Sequence, residues 1–546
     1  MALLKVILVF LSGFGIILAH TGPSLTEYPP LIDATIDTLT AGLDRREFTS
    51  VDLVKAYLAR IAEVNGTLYS VTEVNPDALA IAATLDGERS SGSIRGPLHG
   101  IPILIKNNIA TNDKMTTTAG SWALIGAKVP SDATVAEKLR AAGAIILGKT
   151  NLSQWANFRS FNSSSGWSAY GGQVYAPYHP NQDPCGSSSG SGVASALGLA
   201  LGSLGTETDG SITCPASFNN LVGIKPTVGL TSRHLVIPIS EHQDTVGPMT
   251  RTVKDAAYIL QAIAGADPLD NYTSAIPNPQ LPDYVAACKT SALSGVRLGV
   301  PRNVIDLQSD NTTGPVVEAF EQALNILRGA GANVVDTEFP AAAEFLNSDV
   351  ETLVLCADFV VNLHSYFDTL TYNPNNITSL AALRTFTQSF PLEDYPLRDT
   401  SIWNAALQVF NNTDPRFWPI YQQNVYYGAE GGLLGAIARD DLDAVVLPAN
   451  FASSYAATVG APIVTVPLGS YPAGTPTVAN EWGLLDVAPN IPFGISFLGA
   501  KFSEESLIGF AYAFEQKTRV RDTIMPYIVP HTELADVVQP SMHETL

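Results

Sequence analysis

Cysteine, methionine and histidine are scarce in this chain, which has four, five and eight of them among 546 residues. Four cysteines are too few for the dense disulfide framework that holds small secreted domains together. No two histidines stand at the short spacing that a zinc site uses, so the sequence predicts no metal centre. The glycines at Gly190 and Gly192 do not continue as a dinucleotide-binding motif, and no cofactor is predicted.

Charged residues are also few, at 15% of the chain, and the basic ones are rarer than the acidic ones. Thirty lysines and arginines stand against 51 aspartates and glutamates, which gives a formal net charge of −21. A chain this acidic repels nucleic acid and anionic membrane surfaces, so neither is a predicted partner. Hydrophobic residues make up 46%, which is enough for a large globular core. The sequence has no internal repeat, no low-complexity run and no second domain boundary.

A short apolar run near the N-terminus is typical of a secretory leader. Lys5 precedes this run, which covers residues 6–18 and is too short to span a bilayer comfortably. We predict a signal peptide over residues 1–19 and a single domain over residues 20–546, secreted and without stable membrane association. An uncleaved anchor is the alternative. Asn-x-Ser/Thr sequons agree with a secreted glycoprotein and occur at Asn65, Asn151, Asn162, Asn271, Asn311, Asn376 and Asn411.

The pattern of apolar residues predicts helices that alternate with strands. Helices are predicted over residues 31–45, 50–64, 75–85, 134–142, 191–201 and 315–328. Strands are predicted over residues 98–105, 144–147, 296–300, 333–335, 445–447 and 463–466. This alternation predicts an α/β fold with helices on both faces of a sheet. Residues 157–184 are predicted to form a long functional loop, and residues 349–420 a helical cover over the cleft.

Two glycine-rich segments with serines lie close together in the sequence. Ser187 lies in CGSSSGSG, and Ser211 follows 24 positions later in GTETDGSI. Glycine-rich turns can bring a hydroxyl and bare backbone N–H groups close to a substrate, and acyl transfer needs both. Lys106 ends the apolar run GIPILIK, which reads as a buried strand. Burial there would lower the pKa of the lysine and free its amine to act as a base.

These three segments resemble those of the amidase signature family, and the resemblance covers residues 31–529. It implies the amidase signature fold, with a large mixed central sheet covered by helices on both faces. It also implies an amidase in which Ser211 is the nucleophile, Ser187 the bridging cis-serine and Lys106 the base. The backbone N–H groups predicted to form the oxyanion hole are those around Thr208, Asp209, Gly210 and Ser211.

The chain departs from the commonest motif sequences of this family at several positions. Asp209 stands where a glycine precedes the nucleophile, and Thr213 stands where an arginine follows it. Cys185 replaces a glycine of the Gly-Gly-Ser-Ser-Gly-Gly segment, and Asn107 replaces the aspartate of Lys-Asp-Asn. These variants, together with SQWANFRS and ISEHQDTVGPM, look most like the peptide amidase branch. That resemblance implies hydrolysis of the C-terminal carboxamides of peptides.

Other functions remain open at this point. The chain could act on small-molecule amides or a secondary metabolite instead of peptide amides, and it could be a monomer or a homodimer. It could be an amidotransferase subunit, which would need partner subunits and an ammonia channel. It could also be a non-catalytic binding protein on the same fold. The intact set of Lys106, Ser187 and Ser211 argues against the last of these.

Each site residue has a plainer structural interpretation. Lys106 could be a surface lysine at a strand end, Ser187 a turn residue and Ser211 a helix N-cap. The literal G-x-S-x-G that begins at Gly186 is not a hydrolase nucleophile elbow, because a turn-rich loop and no strand precedes it. Cys185 and Cys214 flank the two serines and could lie close in space, which leaves a disulfide between them open, but we favour buried free thiols.

Overall fold

The computed structural model describes residues 28–538. The predicted signal peptide over residues 1–19 lies outside the described residues. The strands are β1 (Val71–Val74), β2 (Pro102–Lys106), β3 (Ile145–Thr150), β4 (Trp167–Ser168), β5 (Gly172–Gln173), β6 (Ser203–Glu207), β7 (Val222–Lys225), β8 (Thr245–Thr250), β9 (Arg297–Pro301), β10 (Asn333–Thr337), β11 (Ala444–Pro448), β12 (Ile463–Ser470), β13 (Val478–Ala479), β14 (Leu485–Val487) and β15 (Pro492–Leu498).

Helices alternate with these strands along most of the chain. They are α1 (Ile36–Asp44), α2 (Ser50–Leu68), α3 (Ala78–Ser90), α4 (Thr134–Ala141), α5 (Ser189–Ala196), α6 (Thr213–Phe218), α7 (Val253–Ile263), α8 (Arg302–Gln308), α9 (Gly314–Gly329), α10 (Ala342–Leu346), α11 (Val350–Asp368), α12 (Leu380–Ser389), α13 (Ser401–Ala406), α14 (Phe417–Gly428), α15 (Leu433–Arg439), α16 (Ser453–Ala457), α17 (Glu504–Thr518) and α18 (Leu534–Val537).

Within the described chain, eleven strands form one central sheet in the order β1-β3-β2-β6-β8-β7-β12-β15-β11-β9-β10. Strand β2 runs parallel to β3 and β6, and β9 runs parallel to β10 and β11, whereas the pairs at the centre are antiparallel. Strands β2, β3, β11 and β15 are buried along their whole length, which is why they read as continuous apolar runs. The predicted large mixed sheet with helices is confirmed.

Several predicted elements have different ends in the structure, and three of these differences have a clear physical reason. Helix α2 continues through Gly66 to Leu68, because a single glycine in a helix costs only about 1 kcal/mol and no side chain crowds the position. Strand β2 begins at Pro102, since the residues before it form turns. Helix α5 ends at Ala196 and not at residue 201, because Gly198 takes a left-handed conformation with φ 59°.

The predicted cover over residues 349–420 is helical and contains α11, α12 and α13. Helix α11 packs against α13 and α14 with its buried face. Among residues 28–538, α11 alone has the length and apolarity of a membrane span, and core helices of globular proteins share these properties. Its buried face belongs to the same hydrophobic cluster as Trp155 and Trp403.

The interpretation of Cys185 and Cys214 as free thiols is wrong, because the structure joins them in a disulfide with their Cα atoms 5.9 Å apart. The serine segments come together because the N–H of Ser188 donates to the carbonyl of Ser211 at 3.1 Å. This contact depends on how the chain folds, so spacing alone did not show it. Cys288, which is half-buried, and Cys356, which is buried, are the free thiols of the described chain.

Candidate active site

Lys106 is the last residue of β2 and is fully buried. Its Nζ lies 2.7 Å from Ser187 Oγ, 2.9 Å from Thr206 Oγ1 and 3.2 Å from the Thr206 carbonyl. The parallel pairing of β2 with β6 explains the Thr206 contacts, because it places the ends of the two strands side by side. The sequence predicted the lysine at the strand end, and the structure brings it to Ser187 from 81 positions away.

Burial lowers the pKa of Lys106 to about 7, although the nearby carboxyls of Asp244 and Glu207 act in the opposite direction. A large share of the amine is therefore neutral near pH 7 and carries a lone pair. A lone pair 2.7 Å from a hydroxyl is within reach of its proton. The arrangement can therefore remove the proton of Ser187.

Two further lysines, Lys149 and Lys225, are fully buried, but their hydrogen-bond partners differ from those of Lys106. Burial lowers the pKa of Lys149 to about 7 and that of Lys225 to about 8. Lys149 Nζ donates to the Ile109 carbonyl and to a threonine hydroxyl, and Lys225 Nζ donates to a backbone carbonyl. Neither contacts a serine among the described residues. A lowered pKa therefore does not identify the base, whereas the contact with Ser187 does.

The two serines lie on segments that are bonded to each other. The peptide bond between Gly186 and Ser187 is cis. Ser188 donates its N–H to the Ser211 carbonyl, and its hydroxyl donates to the Thr206 carbonyl at 3.1 Å. Ser187 is fully buried, whereas Ser211 is 8% exposed, and its hydroxyl has no hydrogen-bond partner within residues 28–538. Ser211 is thus the less buried serine of the pair.

A buried carboxylate that the sequence analysis missed holds the turn around Ser211. Glu207 accepts hydrogen bonds from the backbone N–H groups of Gly210 at 3.0 Å, Ile212 at 2.6 Å and Thr213 at 2.8 Å. The Thr213 hydroxyl donates to it as well, at 3.2 Å. Burial raises the pKa of Glu207, and nearby Lys225 and these donors act against that shift. An acidic residue four positions before the nucleophile was the available signal.

The contacts of Glu207 bear on the predicted oxyanion hole. The N–H of Gly210 already has an acceptor in Glu207 and is not free for a substrate. Within the described chain, no acceptor is present for the N–H groups of Thr208, Asp209 and Ser211. These three donors lie on the same turn as the nucleophile, where an oxyanion would form.

We predict that Glu207→Gln lowers kcat by about tenfold or more and destabilises the protein by about 1–3 kcal/mol. A glutamine NH₂ cannot accept, so at least one of the buried N–H groups loses its partner and the turn shifts. Denaturant unfolding and steady-state kinetics measure the two effects. Glu504→Gln is the control, because that carboxylate is equally buried and accepts from the Thr227 N–H away from the serines. Equal loss of kcat in both variants would contradict a specific role for Glu207.

Acidic side chains support the same turn from two sides. Asp209 Oδ2 accepts from the Ser454 hydroxyl at 2.7 Å, and Asp244 Oδ1 accepts from the Thr208 hydroxyl at 2.6 Å. Burial raises the pKa of Asp244 to about 6 and also raises that of Asp209. Asp209, which replaces a family glycine, therefore contributes a structural side chain in addition to its backbone N–H.

A cavity of about 290 Å³ lies beside the Lys106 contacts. Asn108, Thr206 and Thr208 border it, and Asn108 Nδ2 donates to the Thr206 hydroxyl that also binds Lys106. Its other walls come from residues 233–246, from α11 and its C-cap Thr369, and from Ala156, Leu269 and Asp270. The cavity thus lies next to the lysine network, and neither Ser187 nor Ser211 borders it.

One cluster brings together potential metal ligands that the sequence analysis did not connect. The ligand atoms of Glu241, His242 and Asp358 lie within 4.8 Å of one another. His242 Nδ1 is 2.8 Å from Asp358 Oδ2, and the Asn412 amide donates to Glu241 Oε1 and to Asp358 Oδ1. The Ser240 hydroxyl also donates to Asp358. Protein donors therefore occupy these oxygens, and the cluster is a hydrogen-bonded support of the segment that carries Asp244.

Comparison with known proteins identifies the family of this chain. The Amidase family profile matches residues 52–508. The chain belongs to the amidase signature family. It is 56% identical over 539 residues to a putative amidase of Arthroderma benhamiae, covering 94% of this chain and 90% of that one. It is 38% identical over 501 residues to a probable amidase of Arabidopsis thaliana, covering 90% and 91% of the two chains.

The fold of this amidase is close to that of a peptide amidase. The native peptide amidase of Stenotrophomonas maltophilia superposes with a TM-score of 0.81 at 40% identity, covering 92% of this chain and 99% of that one. The family and the peptide amidase-like branch are thereby confirmed. The protein is an enzyme that hydrolyses amide bonds.

Proposed function

We propose that this amidase hydrolyses carboxamide C–N bonds through an acyl-enzyme formed on Ser211, and that its substrates are C-terminal peptide amides. The observation that carries the proposal is the 2.7 Å contact between buried Lys106 and Ser187 on the segment bonded to Ser211. A non-catalytic binding protein would gain nothing from a neutral buried lysine at this place. The similarity to a peptide amidase supports the substrate class.

The mechanism follows from these contacts. Neutral Lys106 accepts the proton of Ser187, and Ser187 accepts the proton of Ser211 as the Ser211 oxygen attacks the amide carbonyl. The free N–H groups of Thr208, Asp209 and Ser211 stabilise the oxyanion. The proton then returns through Ser187 to the leaving nitrogen, and ammonia departs. Water attacks the acyl-enzyme by the same route and restores Ser211.

A substrate panel tests the peptide-amide assignment. We expect the purified protein to release ammonia from peptide amides and to convert them to the free acids, as seen by mass spectrometry. Small amides and acyl anilides are assayed as alternative substrates. The same peptides with free carboxylates serve as blanks. Turnover of small amides alone would overturn the peptide-amide assignment and favour the small-molecule alternative.

We also propose that the chain is secreted, on the basis of the leader over residues 1–19. In a eukaryotic secreting host we expect the protein in the medium without this segment. Its exposed sequon asparagines should then carry glycans, and these are Asn162, Asn271, Asn311 and Asn376. Asn151 is fully buried and its amide donates to the Tyr69 carbonyl, so we expect it to stay unmodified.

Peptide mapping before and after deglycosylation measures the occupancy of each sequon. Asn→Gln variants at the four exposed positions should each remove one glycan without loss of activity. A glycan on Asn151 would contradict the burial argument, and an intact N-terminus in the membrane fraction would show that the leader is an anchor.

A further inference from the structure

The disulfide between Cys185 and Cys214 closes a loop that contains both serines of the site. Cys185 lies two residues before Ser187, and Cys214 lies three residues after Ser211. The two cysteines are 29 positions apart, and their Cα atoms are separated by 5.9 Å. The crosslink therefore joins the two segments whose relative position decides whether Ser187 can exchange a proton with Ser211.

We propose that this disulfide is a positioning element of the amidase site and that its reduction by a dithiol lowers turnover in the folded enzyme. The inference rests on the proposed roles of Ser187 and Ser211. It adds a redox dependence that those roles do not require. In this view the enzyme is fully active when oxidised and attenuated when reduced.

The backbone at Cys185 supports a positioning role. Its φ is 52°, in the left-handed region that favours glycine. A glycine is also the usual residue of the family at this position, so the cysteine departs from the residue that the backbone prefers. The disulfide needs a cysteine side chain at this position, and it holds the backbone in this conformation.

Hydrogen bonds alone hold the two sides of the site less completely. The Cys185 N–H donates to Asp183 Oδ1 at 2.7 Å, and the Ser189 hydroxyl donates to the Cys185 carbonyl at 2.6 Å. Both contacts stay within one segment. The hydrogen bond from the Ser188 N–H to the Ser211 carbonyl holds the chain just after Ser187. The disulfide holds the chain just before Ser187. The Asn219 side-chain amide donates to the Pro184 carbonyl at 3.0 Å and also ties the chain before Ser187 to the segment after Ser211, so the disulfide adds a covalent tie to one hydrogen bond on that side.

The chemistry of opening is ordinary thiol–disulfide exchange. Cys185 and Cys214 are both half-buried, so a small thiolate can approach them. A thiolate of the dithiol attacks one sulfur, a mixed disulfide forms, and the second thiol of the reagent displaces it. Two electrons and two protons pass to the protein, which ends with two cysteine thiols, while the reagent ends as a disulfide.

The expected consequence is a loss of kcat with little change of KM. Small displacements of a proton-transfer group cost large factors in rate, so we expect kcat to fall by about tenfold to a hundredfold. The central sheet and its hydrophobic clusters lie outside the closed loop for most of their extent, so the reduced protein should remain folded at the assay temperature.

The test compares the oxidised full chain with the same chain treated with dithiothreitol. Alkylation and mass spectrometry count two free thiols, Cys288 and Cys356, before reduction and four after it. We then expect lower kcat, an unchanged circular dichroism spectrum and recovery on reoxidation. The double variant Cys185→Ala/Cys214→Ala should match the reduced enzyme and should not respond to dithiothreitol. The variant Cys288→Ala should respond as the natural enzyme does.

A second pair of variants separates positioning from general stabilisation. Cys185→Gly/Cys214→Ala should have higher kcat than Cys185→Ala/Cys214→Ala, because glycine adopts the left-handed conformation without the crosslink. An undiminished kcat with four alkylated thiols, or a loss of kcat only where the circular dichroism signal is lost, would overturn the inference. Absence of amide hydrolysis in the oxidised enzyme would instead overturn the proposed function.

Discussion

Replacing Ser211 with alanine is expected to lower kcat for amide hydrolysis by several orders of magnitude, on the order of 10⁴-fold or more. Without the hydroxyl no acyl-enzyme forms, and only substrate binding and the oxyanion donors remain. The side chain has no hydrogen-bond partner in the described chain and is 8% exposed, so we expect nearly unchanged stability. Single-turnover kinetics and thermal unfolding measure both quantities.

Ser191→Ala is a matched control for this substitution. Ser191 lies in the glycine-rich segment of Ser187, and its hydroxyl donates to the Leu204 carbonyl and makes no hydrogen bond to Lys106 or Ser211. We expect this variant to lose some stability and to keep most of its turnover. Near-normal turnover of Ser211→Ala would show that another residue is the nucleophile and would remove the basis of the mechanism.

Lys106→Arg is expected to lose nearly as much activity as Lys106→Ala. A guanidinium stays protonated at any working pH, so it cannot accept the proton of Ser187. In the natural enzyme, burial lowers the pKa of Lys106 to about 7. The neutral, active form therefore gains population as pH rises through about 7, and kcat/KM should rise with it.

The pH profile of kcat/KM and the kinetics of both variants measure this effect. Lys149→Met is the control, because Lys149 is also buried with a pKa lowered to about 7 but has no serine contact. We expect it to change stability while the pH profile keeps its shape. Where Lys106→Arg does not fold, Lys106→Met gives the same comparison. Substantial turnover of Lys106→Arg with an unchanged profile would refute the role of Lys106 as a base.

Local sequence was enough to propose the residues of the site and to predict much of the sheet. Lys106 follows an apolar run that is long enough for one buried strand, and the structure places it at the end of β2. The glycines of the two serine segments predicted turns there, because turns with unusual backbone angles need that residue. The predicted strands near Val445 and Ile463 lie inside β11 and β12. Continuous apolar runs are typical of strands that are buried on both faces of a sheet.

Other features depend on residues that only the tertiary structure brings together. The disulfide between Cys185 and Cys214 depends on the contact between the serine segments, which spacing did not reveal. The sequence analysis assigned the Gly210 N–H to the oxyanion. In the structure this N–H donates to Glu207, because the turn folds back on that side chain. Side-chain partners of this kind are set by three-dimensional packing and have no signal in local periodicity.

The sequence by itself determined the fold class and the family resemblance, and it predicted the lysine and the two serines of the site, because strand patterns and turn chemistry are properties of neighbouring residues. Only the tertiary structure shows which of three buried lysines contacts a serine of the site. Burial lowers the pKa of Lys106, Lys149 and Lys225 alike. The pairing of β2 with β6 places Lys106, and neither of the others, 2.7 Å from Ser187.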